Sequence, residues 1–119
     1  MAAGIILFAH GSRDPLWRRP MEAVAARIRA DDPKALVSCA FLELTEPGLP
    51  AAAAALVAAG AQSVTIVPMF LGVGKHVRED LPSLVEGLGV AHPGVAFTLR
   101  QAVGEDDRMI ALMAQIAAS

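Results

Sequence analysis

Residues 5 to 9 form an unbroken apolar run, Ile5-Ile6-Leu7-Phe8-Ala9, that stops at a histidine, His10. The run does not alternate between apolar and polar residues. A strand with one wet face would alternate, so this one has to be covered on both sides. That requirement admits few architectures, chiefly a parallel sheet with helices above and below it. The strand is expected over Gly4 to Ala9. His10 then stands at its carboxyl end, the edge where open α/β sheets hold their ligands. An imidazole there is a metal ligand, an acid–base group, or a core histidine with both nitrogens bonded.

The rest of the chain repeats the same grammar. After a loop from His10 to Arg18, a helix is expected over Arg19 to Ala30, with Pro20 in its first turn, where no amide donor is needed. Met21, Val24, Ala25 and Ile28 share its apolar face. A second strand follows over Ala35 to Leu42, then an alanine-rich helix over Leu49 to Ala59 that Gly60 stops. Its small face suits close packing on a sheet. A third strand covers Ser63 to Met69, a third helix His76 to Glu86, and Gly87, Gly89 and His92-Pro93-Gly94 are expected to break the chain. A fourth strand over Val95 to Leu99 and a last helix with Met109, Leu112, Met113 and Ile116 on one face complete it. Strictly alternating strands and helices mean one α/β domain spanning residues 1–119, with a four-stranded parallel sheet flanked by helices in three layers. The commonest order is 2-1-3-4, which puts the switch point between strands one and three.

Composition narrows the function. With 10 basic and 12 acidic residues the net charge is -2, which argues against a nucleic-acid binder or an acidic-membrane binder. The single cysteine, Cys39, cannot close an internal disulfide and fits a reducing cytoplasm; inside a strand it reads as a small buried hydrophobe. No secretory signal is visible, and the apolar stretch from Pro50 to Ala61 is far below the ~20 residues that span a bilayer. The apolar fraction of 55% is high for 119 residues. Such an excess suggests surface covered by a partner, most simply a second copy.

Three candidate metal ligands end three strands: His10, Glu43 and His76. Two imidazoles and a carboxylate suit a late divalent ion such as Co²⁺, Fe²⁺, Ni²⁺ or Zn²⁺. The plainer reading is that each caps a helix or bonds a backbone carbonyl. Glu43 is nearer the strand end than Glu46, which fits better as a helix cap. Arg13, Arg18, Arg19, Lys75 and Arg78, half of the 10 basic residues, flank the two histidines and suggest an anionic guest. Gly72-Val73-Gly74-Lys75 has only part of a phosphate loop and carries His76 where a hydroxyl should hold Mg²⁺. His10-Gly11 is preceded by Ala9, not by the arginine of histidine phosphatases.

Three motifs together carry a family likeness: His10-Gly11-Ser12-Arg13-Asp14-Pro15, Phe41-Leu42-Glu43-Leu44-Thr45-Glu46-Pro47, and the run from Pro68 through Gly72-Val73-Gly74-Lys75-His76 to Pro82. Their combination resembles the class II tetrapyrrole chelatases, and within them the small sirohydrochlorin chelatases of the CbiX/SirB type. The resemblance implies a lyase-class enzyme that inserts Co²⁺ or Fe²⁺, with Ni²⁺ also conceivable, into sirohydrochlorin on the way to cobalamin or sirohaem. It implies that His10 and His76 bind the metal and serve proton transfer and that Glu43 completes the site. It implies a homodimer with the tetrapyrrole between protomers, no organic cofactor, and the metal as substrate.

The residue chemistry is compatible with that expectation. Chelation strips two N–H protons from the macrocycle while the ion sheds water, and neutral imidazole can both grip an ion and accept a proton near neutral pH. Ser12, Arg13, Lys75 and Arg78 would meet a carboxylate-rich guest. Phe70, Leu71 and Val73 would press on the macrocycle, and Gly72 and Gly74 would let the loop open. Two other readings remain: a metal or tetrapyrrole carrier without catalysis, and a subunit of a larger complex that docks through the alanine-rich helix.

Overall fold

The computed structural model describes residues 2–119. Strand β1, Ala2–Ala9, lies inside the sheet, as its unbroken apolar run demands. It is flanked by β2, Leu36–Phe41, and by β3, Ala61–Pro68, with β4, Ala96–Leu99, outside β3. The order is β2-β1-β3-β4 and every pairing is parallel. In the β1 register Ala9 faces Phe41 and Phe8 faces Pro68, so the ends of the three strands come level at one edge.

Residues alternate strictly between two cores. Ile6, Phe8, Val64 and Ile66 point to one side and are sealed there by α2, Leu49–Ala58, and by α3, Lys75–Ala91. Helix α2 sits close because Ala52 and Ala53 are its contact residues and are fully buried. A Cβ on Gly4 would stand 3.2 Å from Leu56 Cδ1, so the strand has no room for a side chain there. The alanine-rich face that could have served a larger complex is therefore spent on the chain's own sheet. Leu81, Val85 and Leu88 give α3 its buried stripe. Each large apolar side chain sealed this way contributes about 1.5–3 kcal/mol.

Leu7 and Val37 point to the other side and meet Ala25 of α1, Arg19–Asp31. Arg29 ties α1 to the sheet by donating from Nη2 to the Val37 carbonyl at 2.7 Å. Cys39 lies on this side and is half-buried rather than sealed, and burial pushes its thiol up, helped by the charge of Glu22.

Two expectations need correction. Helix α3 does not stop near Glu86 but runs through Gly87 and Gly89 to Ala91. Both glycines face open space, so each costs the helix about 1 kcal/mol without opening a hole in the core, and Leu88 beyond Gly87 repays it by burial. The last helix, α4, Asp107–Ala118, has the apolar stripe read from the sequence, yet none of its residues is buried. It packs against the short 3-10 turn Val103–Glu105 that precedes it, and among the described residues no helix packs extensively on β3 and β4 from the α1 side, where only Val67 reaches the α1 cluster. The third layer is thus complete over β1 and β2 only.

Candidate metal and macrocycle site

The carboxyl edge of the sheet is laced together by backbone bonds that continue the strands into their loops. Leu42 N–H donates to the Ala9 carbonyl at 2.8 Å and Glu43 N–H to the His10 carbonyl at 2.9 Å. Met69 N–H donates to the Phe8 carbonyl at 2.7 Å. His10 and Glu43 are therefore neighbours through their own peptides, and Phe70 follows directly on the other flank.

Gly11 makes the first crossing possible. Its φ is +105°, and a Cβ there would fall 1.7 Å from the Glu43 carbonyl oxygen. The His10 and Glu43 loops can approach this closely only with glycine at position 11. A second clasp lies just beyond. The Ser12 N–H donates to Thr45 Oγ1 at 2.9 Å, and the Thr45 hydroxyl donates to the Ser12 carbonyl at 2.8 Å. Ser12 Oγ accepts from the Asp14 N–H at 3.1 Å. Ser12 is thus engaged in holding the loops together. Between these clasps Leu44 sits at φ +63°, a conformation that costs a β-carbon-bearing residue about 1–2 kcal/mol.

The His10 side chain is exposed, and beneath it lies Phe70, with ring centroids 4.3 Å apart. Phe70 is 4% exposed and also meets Phe8 edge-on at 6.1 Å. The expectation that Phe70 presses on a guest is corrected here: it is the floor under His10. Leu71, the next residue, is 68% exposed and free to make such contact, and Val73 is half-buried against the core.

His76 is the second residue of α3 and is exposed. It lines a recess of about 470 Å³ with Leu42, Val77, Asp80, Leu81 and Leu84. This recess joins the start of α3 to the residue before Glu43, so the loops after β1, β2 and β3 open onto one edge. Leu42 and Leu44 belong to the second motif but carry no role in the sequence reading, and Leu84, on the apolar stripe of α3, is 42% exposed rather than buried. Two leucines flanking Glu43 in a loop were the available signal, since nothing in the chain's own fold buries them. Among the described residues no three His, Cys, Asp or Glu side chains converge tightly enough to hold an ion. His76 lines the recess, while His10 and Glu43 stand beside one another at the ends of β1 and β2 and are not among its lining.

The cations divide into two sets. Arg18 is occupied: it pairs with Glu22, lies 5.1 Å over the Phe41 ring and reaches the Glu46 carbonyl. Arg13, Lys75 and Arg78 are exposed and enter no ion pair among the described residues. Gly72 and Gly74 border open space, as a loop that admits a guest requires.

A parallel sheet of this order with histidines, a carboxylate, exposed leucines and unpaired cations at its carboxyl edge defines an α/β protein whose switch-point edge carries groups suited to an anionic, partly apolar ligand. The CbiX family model matches residues 4–119, and the chain belongs to that family. A sirohydrochlorin cobaltochelatase of Methanococcus aeolicus is 32% identical over 81 residues, 68% of this chain and 57% of the relative. The chain thus spans little more than half the length of that relative. One from Sulfurisphaera tokodaii is 26% identical over 110 residues, 92% of this chain and 87% of the relative. A solved CbiX protein of Marinobacter aquaeolei superposes with TM-score 0.82 at 32% identity, covering 98% of this chain and 94% of its own. The Bacillus subtilis sirohydrochlorin chelatase SirB, solved with cobalt, gives TM-score 0.82 at 23% identity over 99% of this chain and 50% of SirB, a likeness of fold. The family expected from the three motifs and the strand order expected from the alternation of strands and helices are both borne out.

Proposed function

We propose that this protein is a sirohydrochlorin chelatase that inserts a divalent metal, Co²⁺ or Fe²⁺, into the macrocycle. It would act as a homodimer in the cytoplasm and serve cobalamin or sirohaem biosynthesis. The observation that carries the reading is the open carboxyl edge itself: exposed His10 lies over the buried Phe70 ring, and exposed His76 lines a recess rimmed by Leu42 and Leu84. An ion that is a substrate has to leave its ligands, so an edge that borders the ion suits transfer better than a closed cage. Arg13, Lys75 and Arg78 suit the carboxylates of the guest, and Leu42, Leu71 and Leu84 suit its flat apolar body. His10, His76 and Glu43 are the proposed metal ligands, with the imidazoles also accepting the two pyrrole protons.

The test is the visible spectrum of sirohydrochlorin with Co²⁺ and, separately, Fe²⁺, with and without protein. The expected result is faster metallation with the protein. His10→Ala and His76→Ala should each lower the rate about 10²-fold or more. Full activity in both variants would overturn the site. Stoichiometric retention of the metal or macrocycle without any acceleration would identify a carrier instead.

A further inference from the structure

We infer that Asp80 shares the incoming ion with His76: the two side chains, one helical turn apart on α3, form the grip that first takes a divalent ion from solvent. The inference rests on the chelatase reading above and adds to it a further metal-contacting residue.

One ridge of α3 builds this grip. His76, Asp80 and Leu84 fall at i, i+4 and i+8, and each of them lines the recess of about 470 Å³. Side chains at this spacing are neighbours, with Cβ atoms about 5–6 Å apart. Helical side chains lean toward the N-terminus, so Asp80 leans over the turn that carries His76. The same i, i+4 spacing lets two side chains of one helix hold a single metal ion. Asp80 is exposed and enters no ion pair among the described residues.

Charge explains why His76 needs a carboxylate beside it. His76 is the second residue of α3, and a helix N-terminus carries about half a positive charge. Lys75 and Arg78 add their full charges in the same turn, which holds no acidic residue. A divalent ion approaching His76 is repelled by each of these. Asp80 supplies the opposing charge: it is the acidic group among the residues that line the recess, and no cationic side chain is among them. The other lining residues, Leu42, Val77, Leu81 and Leu84, are apolar, so water screens the attraction less than on an open surface. Glu43 stands beside His10 through their peptides; Asp80 gives His76 the corresponding carboxylate.

The guest sharpens the argument. A macrocycle rich in carboxylates is repelled by an acid set among leucines that suit its flat body. A cation held between the two removes that conflict, and the ion in transit is that cation. A pair of protein ligands grips an ion more loosely than the roughly four of a structural zinc site, so the ion can leave once the ring nitrogens take it.

The test titrates Co²⁺ into the protein without macrocycle and follows the paramagnetic broadening of the imidazole proton resonances by NMR. Asp80→Asn removes the charge and keeps the shape. Glu79→Gln removes the same charge from the preceding residue, which is exposed and outside the recess. Asp80→Asn should raise the Co²⁺ concentration that broadens His76 about tenfold or more, and Glu79→Gln should leave it within about twofold. In metallation assays the KM for Co²⁺ should rise by a similar factor in Asp80→Asn, while the KM for sirohydrochlorin does not rise. Asp80→Glu should recover part of the loss. Unchanged broadening in Asp80→Asn, or an equal effect of Glu79→Gln, would overturn the inference even in a protein that metallates sirohydrochlorin. Asp80-dependent broadening in a wild-type protein that fails to metallate would uphold the grip and overturn the chelatase reading instead.

Discussion

The His10 imidazole rests on the ring of Phe70, centroid to centroid at 4.3 Å and tilted by 36°. The histidine is exposed while its support is buried, so the ring orientation is set from below and the nitrogens are left to the opening. Replacing Phe70 with Ala should cost about 3–5 kcal/mol of stability in a urea titration. Phe70→Leu keeps most of the buried volume and should cost about 1 kcal/mol or somewhat more. Metallation by Phe70→Leu is nonetheless expected to slow about tenfold, because His10 loses its flat support. An unchanged rate in this folded variant would reduce the ring contact to packing.

Gly11→Ala puts a methyl group into the Glu43 carbonyl and a side chain into a left-handed backbone. The two loops must then part. The variant is expected to lose about 2 kcal/mol or more and most of its activity, read by thermal melts and by initial rates.

The Thr45 hydroxyl both accepts from the Ser12 N–H and donates to its carbonyl. Thr45→Val removes both bonds without changing shape and leaves a half-buried amide unpaired. A loss of about 1–2 kcal/mol is expected. Faster hydrogen exchange at the Ser12 amide would locate the damage; an unchanged exchange rate would refute the clasp.

Leu44→Gly separates strain from use. Glycine relieves the φ of +63°, so stability should rise by up to about 1 kcal/mol after the added freedom of the unfolded chain is counted. The exposed leucine beside Glu43 is lost at the same time, and the KM for sirohydrochlorin should increase. A variant that is more stable and binds equally well would remove Leu44 from the site.

Asp106 governs the acid behaviour of α4. Its carboxylate takes bonds from the Arg108 side chain and backbone N–H, which hold it at about 2 instead of the usual 3.8. The folded state therefore binds its proton later than the unfolded one. The contribution is fully present above about pH 4 and disappears as the pH falls through about 2. Far-UV circular dichroism should show wild-type helix content falling in that window. Asp106→Asn, which keeps the cap but not the charge, should lack this component.

Much of the site could be read before the fold was known, because strand ends are marked by where apolar runs stop. Ile5 to Ala9 stops at His10, and β2 and β3 stop within a few residues of Glu43 and Phe70. Parallel order then brings these ends level. What could not be read depends on depth and direction. Phe70 looks like a rim residue in sequence, and only the register of β3 against β1 turns it beneath His10. The length of α3 was missed because Gly87 and Gly89 signal a break, and their harmlessness depends on facing solvent. The stripe on α4 was legible, but periodicity shows that a face is apolar, not what will cover it.

The peptide N–H of Gly104 joins two matters that are otherwise unrelated. One end of its hydrogen bond is the root of α4; the other is the carbonyl of Phe70, on which His10 rests. The seat of the last helix and the footing of the exposed imidazole are thus mechanically one piece, and a displacement of either reaches the other through a single peptide hydrogen bond.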